Sequence, residues 1–560
     1  MSSLGDSSSA FSSQHLAPPP RAKTPDCCRD KRVFEKEEFH SVPSAPLQSP
    51  IPPPPRALRA STSNSSLRST ASSRVAMASP TPEHSPKRKS VAIVGAGPVG
   101  ALAGLYFSHA GWNVSIYDLR GDLRLPENCA LGSGKSINLA LSERGINGIR
   151  NIGDANAALL QKVLNETIPM VGRMIHSGAP GEEGEAQAYD SVFGRYIRSA
   201  DRALLNMQLL DALEERGDVK LCFLHKLRRL KLDAPEGAQA EFERVDTGET
   251  VGVVADLVVG ADGAHSAVRG QLQRYVKMYY EQTYISTMWC EFTIPPHPVT
   301  GDFQLSPNHL HIWPKQTQMF IAIPSIDKSF TSTLFMPETL FSAIKTREDL
   351  ISFFKEHYAD VLEILGEDAL CQQYFSNEHL PLVSIRTAPY HYSDRCVIVG
   401  DAAHAMVPFY GQGMNAGFES VNVLFKHIRA QPDDLKAALE AYTAERKPDA
   451  WAIVELAMRN YDEMRSGVTK RGYLLRKWVE EACSKWVPAL GVKTLYSMVS
   501  FGNDRYSEVL KKAERQGRAE ERLLAAALVG VLAGVGWRAG VWRAIVVGCR
   551  EGFKALAGRR

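Results

Sequence analysis

The stretch that most constrains this chain is Val91-Ala92-Ile93-Val94 running into Gly95-Ala96-Gly97-Pro98-Val99-Gly100. A short, wholly apolar run suits a strand buried on both faces of a parallel sheet. The three glycines follow at GxGxxG spacing. Ala101 to Ala110 then reads as a helix with Leu102, Leu105 and Tyr106 on one face and Gly111 as its stop. Val114 to Tyr117 reads as the next strand, closed by Asp118. Each piece has a task in holding a dinucleotide. Gly95 permits the tight turn, Gly97 lets backbone approach a pyrophosphate, and Gly100 lets helix pack on strand. The helix N-terminus turns free N–H groups and a positive dipole end toward the phosphates. Asp118 can accept from ribose hydroxyls. This much leaves FAD and NAD equally open.

The rest of the chain narrows the class. Its 560 residues exceed one ordinary domain. A hydrophobic fraction of 44% with 23% charged residues is that of a globular protein. A net charge of +3 gives no reason to expect nucleic acid as a partner. The nine cysteines are scattered and lack any CxxC pair, which argues for a reducing compartment and against disulfides or a zinc site. No metal-ligand spacing appears elsewhere. Residues 1–88, rich in Ser and Pro, bury too little apolar surface to offset ordering and are expected to be a disordered extension. Asp6, Asp26, Glu35 and their acidic neighbours argue against a transit peptide, and Met77 is an alternative start.

Two later motifs repeat the strand-into-turn pattern. Leu257-Val258-Val259-Gly260 runs into Ala261-Asp262-Gly263, and Cys396-Val397-Ile398-Val399 runs into Gly400-Asp401. The second leads through Pro408-Phe409-Tyr410-Gly411-Gln412-Gly413 into a helical stretch ending near Ile428. A helix opening near Gly413 would aim its dipole at whatever lies before it, such as the negative pole of a reduced flavin. No second GxGxxG follows a later strand, so a second tightly held dinucleotide is not expected. In order and content the three motifs resemble the single-component flavoprotein aromatic hydroxylases, the class of para-hydroxybenzoate hydroxylase. The resemblance implies an α/β fold: an FAD-binding Rossmann-like domain (89–275 and 386–450), an inserted β-sheet substrate domain (276–385) and a C-terminal helical region (451–518). It also implies that Asp262 lies near both FAD and NADPH, that Asp401 meets the FAD ribityl chain, and that NADPH visits only transiently.

Further stretches sharpen the likeness: Lys135-Ser136-Ile137-Asn138-Leu139-Ala140, Arg173-Met174-Ile175-His176-Ser177, His309-Leu310-His311-Ile312-Trp313-Pro314, and Asn460-Tyr461-Asp462-Glu463-Met464-Arg465. Over residues 88–510 the chain resembles the kynurenine 3-monooxygenase family. That resemblance implies hydroxylation of L-kynurenine at ring position 3 with NADPH and O2, through a flavin C4a-hydroperoxide, in tryptophan catabolism. An amino-acid substrate with an aromatic ring needs a carboxylate partner and an apolar slot. Arg173 matches the family's substrate arginine, whose fork can hold a carboxylate bidentately, and Tyr189, Asn460 and Tyr496 match further substrate contacts. FAD contacts carry over to Gly95, Gly97, Val99, Gly100, Tyr117, Asp118, Leu119, Arg120, Ala140, Arg202, Leu227, Asp262, Asp401, Met414 and Asn415. Arg202 opens a helix with Leu205, Leu209 and Leu213 turned inward, placing its charge for the pyrophosphate. Pro408, Phe409 and Tyr410 are the candidates for the wall beside the reacting carbon. His176, His311 and His404 are expected to be structural.

The last segment, 519–560, changes character. Leu523 to Trp537 is fifteen residues without a charge, short of the roughly 20 needed to span a bilayer. Flanking basic residues and Gly530/Gly534 at GxxxG spacing favour a membrane-associated tail, and the family is anchored at the mitochondrial outer membrane with its catalytic part facing the cytosol. Whether the tail spans or lies in the interface is open at this level.

Overall fold

In the computed structural model, residues 88–557 are described except 129–137, 154–155, 468–477, 479, 483–484, 487–492 and 539–540. The expected disordered extension and the Lys135-Ser136-Ile137 part of one family stretch lie outside them.

The glycine turn sits where its pattern places it. Strand Ser90–Val94 is flanked in parallel by Asn113–Tyr117 and Leu257–Gly260, and the helix Pro98–His109 joins the first pair. Cys396–Ile398 and Val219–Cys222 extend the sheet in parallel on either side, and His391–Tyr392 adds a short antiparallel edge. All three glycine- or aspartate-ended strands therefore deliver their C-terminal turns to one edge, where an open α/β sheet places its ligand. Apolar runs buried on both faces form its core, with Ile93, Ile116, Val258, Val259 and Val397 inaccessible to solvent.

A second sheet of seven strands has the order Leu380–Ala388, Tyr279–Ile294, Phe330–Pro337, Gln318–Pro324, His309–Lys315, Gly172–Ile175, Glu185–Ala188. Its outer pair comes from the first segment of the FAD-binding domain rather than from residues 276–385. Gly172–Ile175 joins by parallel pairing with His309–Lys315. This places Arg173 on the substrate sheet. The outer face of the sheet packs against helices within 338–376 through Phe320, Phe354, Tyr358 and Leu370.

The C-terminal region docks through charge as well as packing. Glu419 of the helix Gly413–Ala430 accepts from both Arg144 and Arg446, whose side chains are almost wholly buried. Arg144 lies against the Tyr506 ring at 3.9 Å and donates to the carbonyls of Val499 and Asp504. Two long helices, Tyr506–Arg538 and Val541–Ala557, follow. Among the described residues no helix is long and apolar enough to cross a membrane.

Candidate active site

A cavity of about 670 Å³ extends from the glycine turn to the inner face of the seven-stranded sheet. At the turn, Gly95 holds a left-handed φ of 103° and a Cβ there would come 2.4 Å from the Ala261 carbonyl oxygen, so only glycine fits. At Gly97 a Cβ would meet nothing within 4 Å, which leaves open space in front of the backbone. The helix beginning at Pro98 has no side-chain cap, and neither has the helix beginning at Gly413. Gly97, Pro98, Gly413 and Met414 all line the cavity. Two helix N-termini thus present unsatisfied N–H donors and positive dipole ends to one space.

Around them lie Val99, Tyr117, Asp118, Leu119, Arg120, Ala140, Leu227 and Asp262, as expected from sequence. Asp118 is only partly available. Its carboxylate accepts from Ala96 N at 2.7 Å and Arg120 N at 2.8 Å, so it also pins the turn to the second strand. Asp262 closes its own turn onto Ser266 Oγ at 2.6 Å and Val268 N at 3.0 Å, and burial raises its carboxyl above the usual range. Arg202 and Asp401 face the cavity without a hydrogen bond or ion pair among the described residues. Asp401 is open to the cavity and otherwise enclosed by protein. Enclosure pushes its carboxyl up, and the Arg202 guanidinium opposes that. An unpaired cation, an unpaired carboxylate and two uncapped helix ends are the complement of a flavin dinucleotide's pyrophosphate, ribityl hydroxyls and anionic pole. The residues fit FAD.

Two residues of the predicted FAD set stand off the cavity. A Cβ on Gly100 would lie 1.9 Å from the Gly95 carbonyl oxygen, so its task is close packing of helix on turn. Asn415 is wholly buried behind the wall: Oδ1 accepts from Ser142 N at 2.9 Å, and Nδ2 donates to the carbonyls of Ala140 (2.7 Å) and Gly411 (2.8 Å).

The other end is built on Arg173, 6% exposed, which lines the cavity together with Tyr189 and Tyr496. Its Nη1 pairs with Glu463 Oε1 at 3.2 Å and its Nη2 donates to Asn460 Oδ1 at 3.5 Å. The guanidinium lies 5.0 Å from the Tyr496 ring and 5.8 Å from that of Tyr189. These two rings stack at 4.6 Å, and Tyr410 stacks on Tyr496 at 5.7 Å. Burial raises both Tyr189 and Tyr496, the latter well above its ordinary value, against the pull of Arg173. Both phenols therefore stay protonated and can donate. Asn460 does not line the cavity. It is a brace, donating from Nδ2 to the Phe409 carbonyl at 2.7 Å while accepting from Arg173.

Pro408, Phe409 and Tyr410 form a 3₁₀ turn that lines the cavity and ends at Gly411, left-handed at φ 62°. Phe409 stacks on Tyr461 at 4.3 Å and meets Phe335 edge-on at 5.0 Å, which fixes its place in the wall. Trp289, Ile321, Thr333, Phe335 and Met464 complete this wall and were not foreseen. Glu463 was also missed, although it stands three residues after Asn460 on the same helical run. The candidate histidines His176, His311 and His404 stand off the cavity. Buried His404 bonds Ser420 Oγ at 2.8 Å, and burial, followed by the charge of Arg446, lowers it to about 3. His176 and His311 bond each other at 2.8 Å, and neither lines the cavity.

Comparison with known proteins agrees with this geometry. The family model described as "FAD binding domain" matches residues 88–457. A Pseudomonas aeruginosa PqsL structure in complex with 2-aminobenzoylacetate superposes with a TM-score of 0.54 at 19% identity, covering 68% of this chain and 97% of that one. The tetrameric form of 2-methyl-3-hydroxypyridine-5-carboxylic acid oxygenase gives 0.52 at 17% identity, covering 71% and 97%. Family model, fold and cavity together define an FAD-binding protein. At the level of sequence, kynurenine 3-monooxygenase of Emericella nidulans is 47% identical over 483 residues (81% of this chain, 94% of that protein), and that of Chaetomium globosum is 48% identical over 470 (77% and 95%). The chain belongs to the kynurenine 3-monooxygenase family.

Proposed function

We propose that the protein hydroxylates L-kynurenine to 3-hydroxy-L-kynurenine with NADPH and O2. The observation that carries this reading is Arg173, a buried guanidinium lining a cavity whose surrounding wall is largely aromatic and aliphatic. Such a site suits a flat ring bearing a distant carboxylate. FAD, when bound, supplies the electron transfer and oxygen activation. The protein's residues do the holding. The uncapped turns at 97–98 and 413–414, with Arg202 and Asp401, would seat the cofactor, Arg202 placing its charge at the pyrophosphate and Asp401 accepting from the ribityl chain. Arg173 holds the carboxylate of the substrate, with the neutral phenols of Tyr189 and Tyr496 as donors beside it. Pro408, Phe409 and Tyr410 form the wall next to the reacting ring and keep water from it. Mixing the protein with NADPH, L-kynurenine and isotopically labelled O2 tests the reading. Label in a 3-hydroxy product is expected, and NADPH loss with only hydrogen peroxide formed would refute it.

We further propose that the segment 519–560 associates with a membrane surface, at the mitochondrial outer membrane with the catalytic part facing the cytosol. The uncharged run Leu523–Trp537 between basic flanks supports an interfacial position rather than a span. Flotation with anionic vesicles should carry the full chain, and a chain ending at 518 should stay behind. Equal flotation of the two would count against the tail, and imaging of the tagged full chain tests the location.

A further inference from the structure

Glu291 is a buried carboxyl group on the inner face of the seven-stranded sheet. On its strand, Tyr279–Ile294, the neighbours Cys290 and Phe292 pack into the core under the outer face, and Trp289 lines the cavity. Side chains alternate along a strand, so Glu291 points the same way as Trp289. Its cross-strand partner Thr333 lines the cavity, as does Ile321 beyond it. Glu291 does not line the cavity itself and is 6% exposed. Its Oε1 has no hydrogen-bond partner among the described residues. A carboxyl group so placed is costly unless an opposite charge compensates it.

The guanidinium of Arg202 supplies that charge. The two meet where the FAD-binding domain docks on the sheet. Ser199, three residues before Arg202, donates from Oγ to the Pro324 carbonyl at 2.6 Å. Through Phe330, Pro324 is in register with Ile294, three residues along the strand from Glu291. Arg202 then opens the helix Arg202–Glu215, and Asp201 before it is taken up in capping, with Oδ1 on Leu204 N at 2.9 Å. A cation in the first turn faces the positive end of the helix dipole, so what holds Arg202 has to come from other elements. Its charge acts on Asp401 as well. Arg202 and Asp401 both line the cavity. Even so, Arg202 forms an ion pair with neither carboxyl group among the described residues. Asp401 pulls on it from the FAD-binding domain and Glu291 from the substrate sheet.

An arginine with a single carboxylate in reach closes onto it, and that pair must be broken before a cofactor can use either partner. An arginine shared between two carboxylates can stay off both. We propose that Glu291 is a positioning residue for FAD: its carboxylate draws the Arg202 guanidinium toward the substrate sheet and off Asp401, which leaves the cation for the pyrophosphate and Asp401 for the ribityl chain. The substrate sheet thus takes part in seating the cofactor, through a side chain that stands outside the cavity. This rests on the roles of Arg202 and Asp401 proposed above.

The test is the FAD affinity of the full chain freed of its flavin, read by quenching of flavin fluorescence during titration at pH 8. Burial raises Glu291 to about 7 against the pull of Arg202, so at pH 8 its carboxyl group is charged. Glu291→Gln removes a buried charge and should fold at least as well as wild type there. It should bind FAD on the order of 10-fold more weakly, the weight of one charge-assisted bond between Arg202 and Asp401 that now has to be broken. Glu291→Asp, which keeps the charge, should recover part of the loss. In an Asp401→Asn background the same Glu291→Gln change should leave affinity within about twofold, because Arg202 has no carboxylate left to close onto. A residue that merely supports the sheet would cost the same in both backgrounds. Equal losses in the two backgrounds overturn the inference, and so does an affinity of Glu291→Gln equal to or tighter than wild type. If Arg202→Ala bound FAD as tightly as wild type, the assignment of Arg202 to the cofactor would fail instead, and the two failures are thus distinct.

Discussion

Replacing Arg173 tests the site at its most specific point. The guanidinium is held rather than free, by Glu463 at 3.2 Å, by Asn460 at 3.5 Å and by the Tyr496 face at 5.0 Å. It is thus preorganised, and little rotamer entropy is lost when a carboxylate docks. Arg173→Lys keeps a charge but offers a point donor in place of a fork. It should forfeit one of two parallel bonds, about 1.5–3 kcal/mol, or roughly 10- to 150-fold in affinity. Arg173→Ala loses both, about 3–6 kcal/mol and on the order of 10²- to 10⁴-fold. Because the gripped carboxylate is remote from the reacting ring, the loss should fall mainly on KM, with kcat changed far less. Initial rates of 3-hydroxy product against substrate concentration give both constants, and perturbation of the flavin spectrum gives binding directly. If Arg173→Ala retained its flavin and bound L-kynurenine within threefold of wild type, the carboxylate assignment would be wrong.

Other expectations follow from the same geometry. Gly100→Ala drives a Cβ to 1.9 Å from the Gly95 carbonyl oxygen, so the purified variant should lack most of its flavin absorbance; full occupancy would mean the turn can move. Glu419→Gln leaves the buried guanidinium groups of Arg144 and Arg446 without their shared carboxylate. It should cost about 3–5 kcal/mol, seen as a melting temperature lower by several degrees, and an unchanged melt would refute that. Glu291 is buried with Oε1 unpartnered, and burial raises its carboxyl to about 7 against the opposing charge of Arg202. The folded state therefore binds a proton that the unfolded state has already released, and stability falls as pH rises from the unfolded value toward 7. The fall should total about 3 kcal/mol. Unfolding of wild-type and Glu291→Gln protein at pH 5 and pH 8 should show this slope only in the former, and parallel slopes would exclude Glu291 as its source.

The nucleotide end of the site was legible because its chemistry is local. Strand, glycine turn, helix and Asp118 follow one another within thirty residues, and the steric demand on Gly100, closure against the Gly95 carbonyl, is met inside that stretch. The substrate end is assembled from distance. Gly172–Ile175 pairs with His309–Lys315, and nothing in the composition of either announces that partner, so the strand carrying Arg173 reads as part of the FAD-binding domain. Glu463 escaped for a different reason. The 3.6-residue period that tells which way a helical side chain points fails at a π-turn, and Glu463–Gly467 is one. Trp289 and Thr333 face the cavity from strands Tyr279–Ile294 and Phe330–Pro337, which pair with each other, and it is the fold of the sheet, not either strand's own sequence, that turns that face toward the ligand space.

The residues that sequence named but the cavity does not contain carry a lesson about walls. Asn415 and Asn460 were expected to touch ligand, and both turn out to hold the backbone that does. Asn415 uses three hydrogen bonds to tie Ser142, Ala140 and Gly411 together, and Asn460 ties Phe409 to Arg173. An asparagine can do this where aspartate cannot, because it donates and accepts from one planar group. The carbonyls of Ala140, Gly411 and Phe409 all need donors in a site that excludes water, and a side-chain amide supplies them without adding charge near the flavin. Gly100 makes the same point sterically, since its absent side chain lets the turn close. Motif residues near a cofactor are thus of two kinds. Some, such as Arg202 and Asp401, keep bonding capacity in reserve for the ligand. Others have theirs fully satisfied by protein, and unsatisfied capacity at the cavity surface, not proximity to the motif, separates the two.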